Sequence, residues 1–170
     1  MVSAAESGND GGDGMWTLHS LETDVERLME RGSDQLREQS GRNNLGACIS
    51  DNQNFRKEVA SYYKANRKDT RKPMLLQYAK DYLYKKYSGV IIPKLEADDV
   101  LGIMAGTDPD CVIWSLDKDL LTIPGRHFID GEHVTIDNDK ADYWFYYQTL
   151  VGDSTDNYSG CPQVGPKNAE

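Results

Sequence analysis

Long apolar runs are what this sequence most clearly lacks: no stretch approaches the roughly 18 residues that a membrane-spanning helix needs, and no secretory leader is visible. Cysteine is scarce as well. Cys48, Cys111 and Cys161 are odd in number and widely spaced, which suggests neither a disulfide framework nor a zinc site and suits a reducing cytoplasm. There is no Asp-x-Asp-x-Asp-Gly series ending in Glu at its twelfth place, so an EF-hand is not supported. Nor is there a Ser–His–Asp or Cys–His arrangement, which argues against covalent nucleophilic catalysis. The glycines at 160 and 165 are followed by Pro166-Lys167 and not by Lys-Ser or Lys-Thr, so a phosphate-cradling nucleotide loop is not supported either.

What is present is charge, unevenly placed. The net charge of −9 over 170 residues argues against simple nucleic-acid binding, but it hides three zones. Residues 1–50 carry four basic and nine acidic side chains, residues 51–94 eleven and four, and residues 95–160 three and fourteen. A basic segment followed by an acidic one suits a polyanion held on one side and metal ions on the other.

In order, residues 1–15 read as a loose acidic start, and Trp16 to about Gln39 as an amphipathic helix or helix pair covering a sheet, interrupted near Gly32–Ser33. Residues 45–50 read as a short strand with Asp51 at its carboxyl end. In 54–73 aromatics alternate with cations, among them Phe55, Arg56, Lys57, Tyr62, Tyr63, Lys64, Arg67 and Lys68, a pattern that suits single-strand binding. A helix is expected over 73–87 and a strand over 88–92. A further helix, 96–105, carries Glu96, Asp98 and Asp99 in its first turn. Cys111–Leu116 reads as a central strand buried on both faces and ending in Asp117 and Asp119. Residues 127–136 read as a β-hairpin around Asp130-Gly131, with His127 and His133 on its surface. Residues 141–151 read as a mostly buried aromatic helix. After it come Asp153 and Asp156, then a glycine turn opening into a helix with Pro166 at its first position, a form suited to gripping a nucleic-acid backbone. Carboxylates gathered past two apolar strands would repel one another in a cleft, and hard divalent cations such as magnesium or manganese are the usual remedy.

Five motifs together resemble one family, the 5′→3′ exonucleases and flap endonucleases, especially their bacteriophage branch. They are Asp51 with Phe55-Arg56-Lys57, Tyr63 to Arg67, Glu96 to Asp99, Ser115 to Asp119, and Gly152 to Asn157 with Gly160 to Lys167. The resemblance implies an α/β fold with a largely parallel sheet, a PIN-like nuclease domain over 1–151 carrying a helical arch, and the start of a helix–three-turn–helix over 152–170. By resemblance, Asp51, Glu96, Asp98 and Asp99 would hold one magnesium or manganese ion, and Asp117, Asp119, Asp153 and Asp156 a second. Lys64 and Arg67 would be catalytic, steadying the scissile phosphodiester. Arg56, Tyr63, Gly160, Gly165 and Lys167 would join Lys64 and Arg67 in binding DNA, with a potassium ion at the Gly160–Lys167 turn. The partners implied are DNA with 5′ ends or flaps, or an RNA–DNA hybrid, with no membrane. The protein would be a monomer in the cytoplasm, that of a bacterial host if phage-encoded.

Relative to the family, the strand and metal-ligand Asp that normally open the chain are missing, Asp10 and Asp13 being poor replacements, and the C-terminal part is missing too. An internal fragment or truncated reading frame, weak or inactive, is therefore expected, the full-length parent being a metal-dependent 5′ nuclease. Three other readings carry less of the pattern. A haloacid-dehalogenase-type phosphatase would want Thr or Val where Leu121 stands, and a PIN-type ribonuclease would lack the basic arch and glycine hairpin. The third is a DNA-binding remnant that no longer cuts.

Overall fold

The computed structural model describes residues 18–67 and 71–169. The expectations for residues 1–17, and the place of Lys68, lie outside them. In chain order the elements are helices α1 (Leu18–Ser40), α2 (Arg56–Val59), α3 (Leu76–Lys86) and α4 (Ala97–Thr107), strands β1 (Val112–Trp114), β2 (Gly125–Ile129) and β3 (Glu132–Ile136), and helices α5 (Asn138–Val151) and α6 (Pro166–Ala169). Single 3-10 turns cover Ala65–Arg67 and Lys118–Thr122. The described residues divide into two compact units, 18–49 with 71–90, and 50–67 with 91–169.

In the first unit Leu21, Val25 and Met29 of α1 close on Leu75 and Ala79 at the start of α3, all buried. Burying the Leu, Val and Met side chains contributes about 1.5–3 kcal/mol each. The expected break at Gly32–Ser33 does not occur. The Ser33 hydroxyl donates to the Met29 carbonyl one turn back at 2.8 Å, so its polar group is satisfied within an unbroken helix. α1 therefore packs on a helix, not on the expected sheet. The two short strands expected over 45–50 and 88–92 meet as one parallel bridge, Cys48 with Val90.

The second unit holds a three-stranded sheet in the order β1-β2-β3, with β1 parallel to β2 and β2 antiparallel to β3. The class is α/β as expected, but the described sheet is mixed and not largely parallel. The β2–β3 hairpin turns at Asp130 (φ 51°) and Gly131 (φ 85°), the left-handed pair that a two-residue turn needs.

Three burial expectations are corrected in this unit. β1 lies at the edge of the described sheet, with Ile113 buried but Trp114 43% and Leu116 91% exposed. An unbroken apolar run does not by itself say that both faces are covered. His127 is not on the surface: it is 2% exposed, and its Nε2 lies 2.9 Å from the Ile123 carbonyl. α5 is not mostly core. Ala141 is buried, whereas Tyr143, Phe145 and Tyr146 are exposed.

Candidate active site

A cleft of about 1100 Å³ lies wholly within the second unit. Its lining includes seven of the eight acids expected to hold metal, with Arg56, Tyr63, Lys64 and Arg67. Asp51 does not line it. One Asp51 oxygen accepts from the Asn52 N–H and the other from the Lys94 N–H, both at 2.7 Å, which ties its carboxylate between its own turn and the loop that precedes α4.

Glu96, Asp98 and Asp99 arrive on the first turn of α4. Glu96 is the N-cap, and the Asp99 side chain reaches back to accept its N–H at 2.9 Å, forming a capping box. Asp99 also takes a two-pronged ion pair from Arg56, both contacts at 2.7 Å. Those Arg56 bonds lead the forces that hold Asp99 below the usual carboxylate range. Burial pushes Glu96 upward, but hydrogen bonds from Lys64 Nζ (2.8 Å) and the Tyr63 hydroxyl (2.5 Å) outweigh it and leave the group lowered. Lys64 moves the other way: burial lowers it, and Glu96 and Tyr63 more than restore it, so its charge is secure. The alternation of cations and rings folds on itself, with Arg56 4.8 Å from the Phe55 centroid and Lys64 4.8 Å from that of Tyr63.

The other acids stand differently. Asp117 and Asp119 follow β1, where the Asp117 side chain caps the 3-10 turn by accepting the Asp119 N–H at 3.0 Å. Gln148 of α5 donates to Asp119 at 2.9 Å. Asp153 accepts the Thr155 N–H at 2.7 Å and pairs with Tyr158 through two backbone hydrogen bonds of 2.8 Å. Asp98 and Asp119 are both pushed upward, by burial first, then by neighbouring carboxylates, Asp117 above all. No ion pair with a cation joins Asp98, Asp117, Asp119 or Asp153 among the described residues.

That donor set fits a hard divalent cation in chemistry and in sign, being all oxygen and short of positive charge. It is not a finished cage. Among the described residues no three acids, histidines or cysteines are grouped closely enough to hold one ion.

The basic segment is short. α2 and the 3-10 turn replace the expected long helical arch over the described residues, and Lys64 (φ 52°) takes a left-handed conformation at an order of 1–2 kcal/mol. Gly160 has a packing reason to be glycine. A Cβ there would come within 2.5 Å of the Leu150 carbonyl oxygen, and one on Gly152 within 2.6 Å of the Gly160 nitrogen. Gly165 and the exposed Lys167 lie at α6, outside the cleft lining. Gln148, Asn66 and Asn157 carry no role among the sequence expectations. The two asparagines lie within the Tyr63–Arg67 and Gly152–Asn157 motifs, which could have marked them, whereas Gln148 lies in none of the motifs.

Residues 25–145 match the model of the 5′-3′ exonuclease N-terminal resolvase-like domain. The chain belongs to this family. It is 39% identical over 129 residues to an exodeoxyribonuclease of Enterobacteria phage T3, covering 69% of this chain and 43% of the relative. The chain thus spans about two fifths of that relative's length. The fold resembles the bacteriophage T5 5′-exonuclease with zinc bound (TM-score 0.65, 17% identity, 85% of this chain and 64% of that one). It also resembles a T5 flap endonuclease in complex with DNA and metal ions (TM-score 0.62, 16% identity, 89% and 64%). Among the described residues no helix is long and apolar enough to cross a membrane.

Proposed function

We propose that the protein is a metal-dependent 5′ nuclease, an exonuclease and flap endonuclease hydrolysing DNA phosphodiesters near 5′ ends. The observation that carries this is the single cleft in which two groups of carboxylates, one without cationic partners, face Arg56, Lys64 and Arg67. Asp98, Asp117, Asp119 and Asp153 would hold magnesium or manganese, with Glu96, Asp99 and Asp156 joining as Lys64 and Arg56 turn to substrate. Bound there, such ions supply Lewis-acid charge and an activated water. Lys64 and Arg67 would neutralise charge growing on the phosphoryl oxygens, and Tyr63 would orient Lys64. Membership of the family and the zinc-bound and DNA-bound neighbours support this reading. DNA flaps are the proposed substrate ahead of RNA–DNA hybrids, acted on by a monomer in the cytoplasm, with potassium at the Gly160–Lys167 turn.

One observation favours a second reading, a DNA-binding chain that does not cut: Glu96 and Asp99 already have cationic partners within the protein. A cleavage assay on 5′-labelled flap DNA, with magnesium against chelator, separates the two. Magnesium-dependent release of short 5′ products is expected. Tight DNA binding without any cleavage would establish the second reading.

A further inference from the structure

Residues 62–67 and 154–157 are tied together far more closely than two surface loops need to be. The Lys64 N–H donates to the Asp156 carbonyl at 3.0 Å, and the Arg67 Nε to the Thr155 carbonyl at 3.1 Å. Two asparagine amides complete the clasp from opposite sides. Asn66 Nδ2 donates to the Ser154 carbonyl at 3.0 Å, and Asn157 Nδ2 to the Tyr62 carbonyl at 3.0 Å. Both Lys64 (φ 52°) and Asn157 (φ 60°) hold left-handed backbone at the junction. Such conformations persist where surrounding bonds over-determine them. Asparagine tolerates this backbone and lysine does so poorly, so the bonds made by the asparagines hold Lys64 in a shape it would not choose alone.

We infer that Asn66 and Asn157 are positioning residues, whose amides fix the Lys64 ammonium and Arg67 guanidinium in register with the Asp153–Asp156 loop. Neither amide need touch substrate. All four hydrogen bonds end on main-chain carbonyls, so what they fix is the relative path of two backbones. The side chains of Lys64 and Arg67 then converge on Asp156 at 3.5 and 3.4 Å, which places the phosphate-facing cations beside the acid loop. A displacement of about 1 Å between reacting groups can cost on the order of a hundredfold in rate.

The inference rests on the nuclease reading, and its test keeps the two apart. Asn66→Ala, Asn157→Ala and Asn157→Gly are compared with the wild-type chain for flap cleavage, melting temperature and amide hydrogen exchange at Lys64. Glycine keeps the left-handed backbone and deletes the amide. All three variants should exchange the Lys64 amide at least about tenfold faster and lose about 10- to 100-fold in kcat, with KM within about threefold. Asn66→Ala and Asn157→Gly should melt close to wild type, whereas Asn157→Ala, strained at φ 60°, should melt lower. Asn66→Gln, which can still donate, should recover part of the rate. Wild-type rates and exchange in Asn157→Gly would overturn the positioning role alone. So would a rate loss that tracks melting temperature and falls equally on kcat and KM. A wild-type chain that cuts nothing would remove the nuclease reading and this inference with it.

Discussion

Glu96 and Asp99, on one side, and Asp98 and Asp119, on the other, are the same chemistry in one cleft with opposite fates. The first two have cations at 2.7–2.8 Å and are held below their ordinary range. The other two are pushed above it by burial and by each other's neighbours. Asp98 and Asp99 are adjacent in sequence, but consecutive positions on a helix point about 100° apart. What decides is which way each carboxylate points: towards the basic segment, or towards Asp117. The lesson is that one half of the acid set is neutralised by the protein, and the other half has no cationic ion pair among the described residues.

The largest expected effect comes from taking away Lys64, the cation that pairs with both Glu96 and Asp156. Lys64→Ala should lower flap cleavage by about 10²–10³-fold in kcat, because charge on the phosphate loses its preorganised partner. Steady-state kinetics on labelled flap DNA check this, and a loss confined to KM would contradict it.

Next comes the compensated side. Arg56→Ala removes both contacts to Asp99 and should cost about 1–2 kcal/mol, a figure kept low because the pair is partly exposed. Arg56→Lys should recover only part of it, since an ammonium cannot make the two-pronged pair. Denaturant titration measures both.

The uncompensated side should respond with the opposite sign. Without metal, Asp98→Asn or Asp119→Asn removes a repelled, desolvated charge and should raise the melting temperature by about 2–4 °C. Thermal melts in chelator read it, and a fall in melting temperature would break the comparison.

A smaller effect lies in pH. Glu96 and Asp99 are lowered on folding, so the stability they lend is full above their unfolded values near pH 4.3 and 3.9 and is lost as pH falls through the folded ones. Asp98 and Asp119 are raised, so they cost stability at neutral pH, and that cost lifts as pH falls through their raised values towards about 3.9. The advantage of Asp98→Asn plus Asp119→Asn over wild type should therefore be greatest near neutrality and vanish near pH 4. Melting temperatures across pH 4–7 would show it.

Much of this was legible in the sequence, and the residues say why. Acids on the first turn of a helix and an Asp-Gly between two apolar runs are local signals, and α4 and the β2–β3 hairpin form as read. Exposure of Trp114 and Leu116, burial of His127 and the open aromatic face of α5 depend on what packs from elsewhere in the chain, which periodicity does not carry. Gln148 reaches Asp119 across 29 positions, and Asn157 reaches Tyr62 across 95, so neither contact leaves a local trace. The pairing of Arg56 with Asp99 is likewise a tertiary fact, and it turned residues read as DNA contacts and metal ligands into partners of each other.

The most direct measurement is the melting temperature of the wild-type chain and of Asp119→Asn, each with millimolar manganese and with chelator. An ion received by the uncompensated carboxylates stabilises the folded state by mass action. Wild type should gain several degrees with manganese, and Asp119→Asn should lose most of that gain. Equal melting temperatures with and without metal in the wild-type chain would contradict the claim that these carboxylates await a cation.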